Sequence, residues 1–203
     1  MKKNTCALLI LLFLSSCISL DLKEDNSSTH ESNKLMNNSL LDSLKSQFIF
    51  SESIYHFNPD SINSFIELMG KDKHRPKPIL RDLHYKIFQA PNTIDSVVNE
   101  QTYYLYNIQN QEKNIEFTII GSNDDWINEI ILLTYDINGK IIDKYILAEL
   151  GGDQDLFIES ESILINDTTY LKKTRQYRYN ITSNSNQLTD SISTKIQIKK
   201  ERF

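Results

Sequence analysis

The feature that most constrains the fold is the stretch after Pro91, where proline is absent and short apolar segments alternate with polar turns. Proline cannot donate to a strand ladder, so a long stretch without it favours a sheet. Ile115, Phe117 and Ile119 alternate with polar residues, which is the period-two pattern of a strand. The same reasoning predicts strands near 103–106, 115–119, 127–135, 141–147, 156–165, 169–181 and 192–202.

Two glycine-containing turns and one continuous apolar run organise this predicted meander. Asn138-Gly139 lies between two apolar segments and predicts a hairpin with a type I′ turn, which needs φ > 0 at both central residues. Gly151-Gly152-Asp153 predicts a second turn. The run 130–133 is apolar on both faces, so we expect it in the middle of the sheet with cover on each side.

Two helices are predicted before the sheet. The first has an apolar stripe at steps of four residues from Met36 to Phe48. The second, over 61–69, follows the candidate N-cap Asp60 and ends at Gly70 as a C′ residue. We expect both helices to cover one face of the sheet. The predicted fold class is α+β and mainly antiparallel β, with a curved meander sheet or half-barrel covered by two N-terminal helices.

The N-terminal segment has the three parts of a secretory signal. Lys2 and Lys3 form a positive region, an apolar run over 7–14 follows, and small residues lie before Cys17. Eight apolar residues are too few for a transmembrane helix, which needs about 20.

The sequence Leu14-Ser15-Ser16-Cys17 resembles the lipobox of bacterial lipoproteins. The resemblance implies that residues 1–16 are removed and that Cys17 carries a diacylglyceryl group and an acylated amino terminus. Ile18 in place of Asp favours the outer membrane by the same resemblance, with the periplasmic or surface side left open. The alternative is an ordinary signal peptide in which Cys17 is incidental.

The domain layout follows from these segments. We expect a signal peptide over 1–16, a lipidated cysteine and flexible tether over 17–34, and a single globular domain over 35–203. Within the domain, helices are predicted over about 35–70 and the β-meander over about 83–203. The Asn-Gly-Lys hairpin followed by a Gly-Gly-Asp turn resembles small envelope lipoproteins of Bacteroidota.

Charge and motifs exclude several function classes. The formal charge of −5 becomes −7 once two lysines leave with residues 1–16, since 20 basic residues then face 27 acidic ones, which argues against a general nucleic-acid binder. The five glycines form no phosphate-binding motif, and His30, His56, His74 and His84 lack zinc-site spacing. We therefore predict no catalytic residue, no cofactor and no metal, and expect a non-enzymatic protein.

Two acidic turns leave one alternative open. Asp124, Asp125, Asp153 and Asp155 offer the oxygen ligands that calcium prefers, but aspartate is also common in turns without metal. We favour turn chemistry.

A cluster of aromatic residues on predicted strands suggests a second candidate site. If the sheet is curved and its concave side is open, an apolar or sugar-stacking pocket is expected from Trp126, Tyr135, Tyr145, Tyr177 and Tyr179. Packing between strands is the alternative for the same residues.

The expected function is that of a membrane-anchored envelope lipoprotein that acts in protein interaction or assembly. Its expected partners are the membrane, through the N-terminal lipid, and an unidentified envelope protein or ligand. The alternative is a lipid or small-ligand carrier that uses a curved-sheet pocket.

Overall fold

The computed structural model describes residues 36–71, 73, 75–89, 102–110, 115–122, 127–153 and 155–199. They belong to the unit Asn33–Phe203 and form three helices, one 3₁₀ turn and eight strands. The helices are α1 (Asn38–Leu44), α2 (Pro59–Met69) and α3 (Arg81–Phe88), and the 3₁₀ turn is Lys45–Gln47. The strands are β1 (His56–Phe57), β2 (Thr102–Asn110), β3 (Ile115–Ser122), β4 (Ile127–Tyr135), β5 (Ile141–Gly152), β6 (Phe157–Asn166), β7 (Thr169–Asn180) and β8 (Ser185–Gln197).

The strands form an antiparallel meander, as predicted. β2 to β8 follow one another across the sheet in chain order, and each pairs antiparallel with the next. β1 adds an eighth strand, because His56 pairs with Ile163 and Phe57 with Ser162 on β6. Among the described strands the order is open, with β2 and β8 at its two ends.

The predicted hairpin at Asn138-Gly139 is confirmed, but its turn type is not I′. Gly139 alone in this loop has a positive φ, at 80°. Its N–H donates to the carbonyl of Asp136 at 3.0 Å, and the Asp136 carboxylate accepts from the N–H of Lys140 at 2.7 Å. This is the longer hairpin loop that ends in a glycine of left-handed conformation.

The second predicted turn begins two residues later than expected. Gly151 and Gly152 end β5 with φ of 141° and 138°. A Cβ on Gly152 would lie 2.0 Å from the carbonyl oxygen of Leu156, so the returning chain passes too close for a side chain. β5 pairs with β6 only through Glu149–Gly152, after which β6 leaves β5 and pairs with β1.

α2 begins two residues earlier than predicted, because Asn58 rather than Asp60 is the N-cap. The Asn58 carboxamide oxygen accepts from the N–H of Ser61 at 2.9 Å, and Pro59 occupies the first helical position. Gly70 closes the helix with φ of −76°, so it lies in the right-handed region rather than in the expected C′ conformation. The buried face is Ile62 and Phe65, both fully enclosed.

α1 is shorter than its apolar stripe suggested. Asn37 caps it through a 2.8 Å bond from the N–H of Leu40, and a 3₁₀ turn follows Leu44. Met36 and Leu41 are fully buried in the same cluster, and they occupy the N′ and N4 positions of a hydrophobic staple.

Both faces of the sheet are covered, as the apolar run in β4 predicted. Ile130 and Leu132 belong to a core cluster that includes the buried residues of α2, whereas Ile131 and Leu133 belong to the cluster of α1. The expectation that α1 and α2 share one face is therefore wrong. A strand that is apolar on both faces needs cover on each side, and α1 and α2 lie on opposite faces.

The helix α3 was missed. It joins the α1 side of the sheet through Leu83 and Ile87, which lie one turn apart. The described meander accordingly starts at Thr102 rather than at about residue 83. α3 is only eight residues long, which is too short for its apolar spacing to predict a helix reliably.

Candidate interaction surface at the sheet edge

The two terminal strands of the sheet differ in how their edges are treated. Along β2, the backbone N–H groups of Ile49, Phe50 and Ile79 donate to strand carbonyls at 3.2, 3.0 and 2.7 Å. Asn107 on the same strand donates from its side chain to the carbonyl of Glu52 at 3.0 Å. Segments that precede β2 in the chain therefore cover the β2 edge with hydrogen bonds.

The β8 edge has no comparable cover within the part of the chain that the structure describes. β8 is thirteen residues long and the last strand in the order, and every residue over 185–195 is exposed. Leu188 and Ile192 are 55% and 50% exposed. Asp190 and Lys195 are its only charged residues, and it contains no proline.

These properties make β8 a strand to which another strand can be added. Protein edges are usually protected by shortness, by charge, by proline or by a covering segment. β8 has one protective feature beyond its two charges, a bulge at Thr189, because Gln176 of β7 pairs with Asp190 and Tyr177 pairs with Leu188. The remaining backbone groups on its outer side can pair with an extended segment.

The β7–β8 hairpin holds this edge in a fixed position. Its register runs over twelve cross-strand pairs, from Thr169 with Gln197 to Asn180 with Ser185. At its tip, the Asn180 side-chain oxygen accepts from the N–H groups of Thr182 at 2.9 Å and Ser183 at 3.2 Å. This Asx-type turn closes the hairpin without glycine.

An ionic network joins β7 to β6, on the side of the hairpin that faces away from the β8 edge. Arg175 donates to Glu159 at 3.1 Å and to Glu161 at 2.7 Å, while Tyr177 donates to Glu159 at 2.7 Å. His56 of β1 lies 3.4 Å from Glu161. Burial would raise the pKa of Glu161, but the hydrogen bonds from Arg175 and His56 outweigh it, so the pKa is lowered. The network joins β1, β6 and β7.

The structure does not bring together the four aromatic residues of the predicted pocket that it describes. Tyr135 is fully buried, stacks on Phe117 and donates to the carbonyl of Ile87 at 2.6 Å. Tyr177 belongs to the ionic network, and Tyr179 bonds to Asn184 near the hairpin tip. Trp126 lies outside the described residues.

Tyr145 alone of these aromatics lines a described cleft, whose volume is about 470 Å³. Its hydroxyl accepts from the N–H of Lys199 at 3.0 Å. Both apolar and charged side chains line the cleft, among them Ile131, Ile146, Ile196, Glu129 and Lys172. Lys172 donates to Glu149 at 2.6 Å, in a pair whose side chains are only 12% and 18% exposed.

The two described histidines pair or pack with neighbouring side chains. His56 is part of the ionic network. His84 packs between Phe88 and Tyr103, with ring centroids 4.3 and 5.6 Å away, and burial lowers its pKa. His30 and His74 lie outside the described residues.

The acidic turn at Asp153 is explained by backbone capping. Its carboxylate accepts from the N–H groups of Asp155 and Leu156 at 2.8 Å each. Among the described residues, His, Cys, Asp and Glu side chains form no group of three that could hold a metal ion. Asp124 and Asp125 lie outside the described residues, as do the signal segment and Cys17.

Sequence reasoning missed the edge and the network for different reasons. Residues 185–191 carry no apolar alternation because both of their faces are exposed, so β8 was predicted to begin only at 192. The network has a signal in the sequence, since Glu159 and Glu161 on β6, and Arg175 and Tyr177 on β7, recur at period two. Their pairing depends on the register, which alternation alone does not supply.

Comparison of the chain with protein-family models, curated proteins and solved structures found no match. Within the described ranges, every helix is too short or too polar to cross a bilayer.

Proposed function

We propose that this chain is a non-enzymatic, lipid-anchored envelope protein that acts as a protein-interaction or assembly component, with β8 as its docking strand. The observation that carries the proposal is the contrast between the two sheet edges, one covered by hydrogen bonds and one exposed over eleven consecutive residues. Strand addition supplies affinity through main-chain hydrogen bonds and needs no concave pocket.

The anchoring part of the proposal is supported by the sequence Leu14-Ser15-Ser16-Cys17 after an apolar run. Several acyl chains would hold the protein firmly at a membrane, because two chains already suffice. In bacteria fed radiolabelled palmitate, the native chain should be labelled and processed. Cys17→Ala should remove the label and leave the precursor unprocessed, and continued labelling of that variant contradicts the lipobox.

The interaction part is tested in cells that make the full chain. A photo-crosslinking residue replaces Ser193 on β8 and, as the matched control, Ile66, which is 45% exposed on α2. We expect a discrete adduct from position 193 and not from position 66. Equal adducts from both sites, or adducts from α2 alone, would contradict docking at the β8 edge.

A second candidate function, a carrier of a lipid or small ligand, is favoured only by the cleft beside Tyr145. Its apolar and charged lining side chains are the features that such ligands need. Native mass spectrometry of the protein from its own envelope would show an excess mass that disappears on denaturation. Ile146→Trp, which fills the cleft, should abolish that mass, and a bare native mass contradicts the carrier function.

A further inference from the structure

The outer edge of β8 carries a run that is chemically complementary to itself. In the run Asp190-Ser191-Ile192-Ser193-Thr194, the central isoleucine is flanked by two serines. The outer residues, Asp190 and Thr194, both have side-chain oxygens that accept hydrogen bonds. All five residues are exposed, and they pair with β7 in unbroken register. The run therefore presents a regular ladder edge.

Symmetry restricts how two copies of this run can pair. Successive pairs in an antiparallel ladder alternate between hydrogen-bonded and non-hydrogen-bonded types. A two-fold axis makes the pairs on its two sides identical. It cannot lie between two successive pairs, because these are of different types, so it must pass through a pair. One residue must therefore lie opposite its own copy, and each possible register is defined by that central residue.

The charged residues and the core exclude three of these registers. A centre at Asp190 or at Lys195 places like charges directly opposite each other, which is destabilising. A centre at Thr194 places Asp190 opposite Ile198, which is only 4% exposed and belongs to the core of its own chain.

The register centred on Ile192 matches like with like. It places the isoleucines of the two copies opposite each other, each Ser191 opposite Ser193 of the second copy, and each Asp190 opposite Thr194. Centres at Ser191 or Ser193 instead place Ile192 opposite Asp190 or Thr194. Cross-strand apolar and hydroxyl pairs are the stabilising ones.

We propose that β8 pairs antiparallel with β8 of a second copy of this chain, about a two-fold axis at Ile192. This rests on and deepens the proposed function, because it names the partner of the same docking strand. The contact is isologous and closes at two copies. A common membrane anchor would raise the effective concentration of one copy for the other.

The test is a cysteine scan in the full chain with its native N-terminus, and the chain without an added cysteine gives the background from Cys6 and Cys17. Single cysteines are placed at 190, 191, 192, 193 and 194, and Ile181, which is 87% exposed beside the hairpin tip, becomes the control Ile181→Cys. Directly opposed Cβ atoms lie about 4.5–5.5 Å apart, close to the span of a disulfide. Each protein is oxidised in detergent and the covalent dimer is quantified.

Among single variants, Ile192→Cys should give the maximum self-crosslink, several-fold above Ile181→Cys. An equal mixture of Ser191→Cys and Ser193→Cys should crosslink better than either variant alone. Adding Ile192→Lys to both members of that mixture should remove the gain, because it opposes two ammonium groups. Association through the N-terminal apolar run would give no such dependence on position.

Other outcomes overturn the pairing. A maximum at another residue excludes the Ile192 axis, and yields equal to that of Ile181→Cys exclude pairing of the two β8 strands. If the scan is flat while position 193 still captures a different protein in cells, the second-copy proposal fails and the proposed function stands. If the photo-adduct is also absent, both fail.

Discussion

The pair formed by Lys172 and Glu149 should be a main determinant of how the β7–β8 hairpin is attached to the rest of the sheet. The Nζ atom of Lys172 lies 2.6 Å from Oε2 of Glu149, and Glu149 also accepts a hydrogen bond from the hydroxyl of Ser160 at 3.0 Å. Glu129 lies directly opposite Glu149 in the β4–β5 register. Lys172→Met would therefore remove the ammonium group that links β7 to Glu149 on β5. The partly buried Glu149 carboxylate would then face the Glu129 carboxylate without that positive charge.

The expected loss of stability follows from burial. Breaking a buried ion pair by removing one partner costs about 3–5 kcal/mol, and exposed pairs contribute about 0–1 kcal/mol. With side chains 12% and 18% exposed, the pair lies near the buried limit, so we expect Lys172→Met to cost about 2–3 kcal/mol. At an m-value of about 2 kcal/mol/M, the urea midpoint should fall by about 1 M.

The chain offers a matched control in the next residue. Lys173 is exposed and points to the opposite face of β7, so Lys173→Met should change stability by less than about 0.5 kcal/mol. Combining Lys172→Met with Glu149→Gln should recover most of the loss, since no uncompensated charge remains. Equal urea midpoints for Lys172→Met and Lys173→Met, or no recovery in the double variant, would show that the pair does not stabilise the hairpin.

Three further changes test the core, one turn and the ionic network by urea unfolding. Phe117→Ala, at a fully buried site, should cost about 3–5 kcal/mol, and a loss below about 1 kcal/mol would show that the α1 side is loosely packed. Gly139→Ala should cost more than about 2 kcal/mol, because its Cβ would lie 1.7 Å from the carbonyl oxygen of Met36 at positive φ, whereas Gly70→Ala should be tolerated. Because the pKa of Glu161 is lowered from 4.5, its ionised form adds stability above that pH and loses it as the pH falls through the folded value. The deficit of Glu161→Gln should accordingly be present at neutral pH and vanish in strong acid, and a deficit independent of pH would contradict the network.

Much of the sheet could be predicted from sequence because one or both of its faces are buried. Apolar alternation located β3, and the two-faced apolar run located β4 at a covered position. The same signal failed at the start of β8, where neither face is buried and polar residues occupy every position over 185–187. Periodicity reports burial rather than strand conformation, so an exposed strand is not distinguished from a loop.

The candidate sites were harder to predict because they depend on register and on which face a residue occupies. Tyr135 and Tyr145 lie on the same strand pair, yet one belongs to the core cluster of α1 and the other packs against that of α2. A list of strand tyrosines could not separate them. The Asn138-Gly139 hairpin was recognised, but its turn type depends on the Asp136 carboxylate, which bonds to the N–H of Lys140.

Association through β8 is tested most directly by residue-resolved amide hydrogen exchange of the full chain in detergent, compared between dilute and concentrated samples. We predict that alternate amides of β8 around Ile192, those directed away from β7, exchange rapidly when dilute and become protected when concentrated. The amides along the covered β2 edge should not change. Exchange in β8 that is independent of concentration, or protection gained along β2 instead, would contradict the claim that β8 is the strand through which this chain associates.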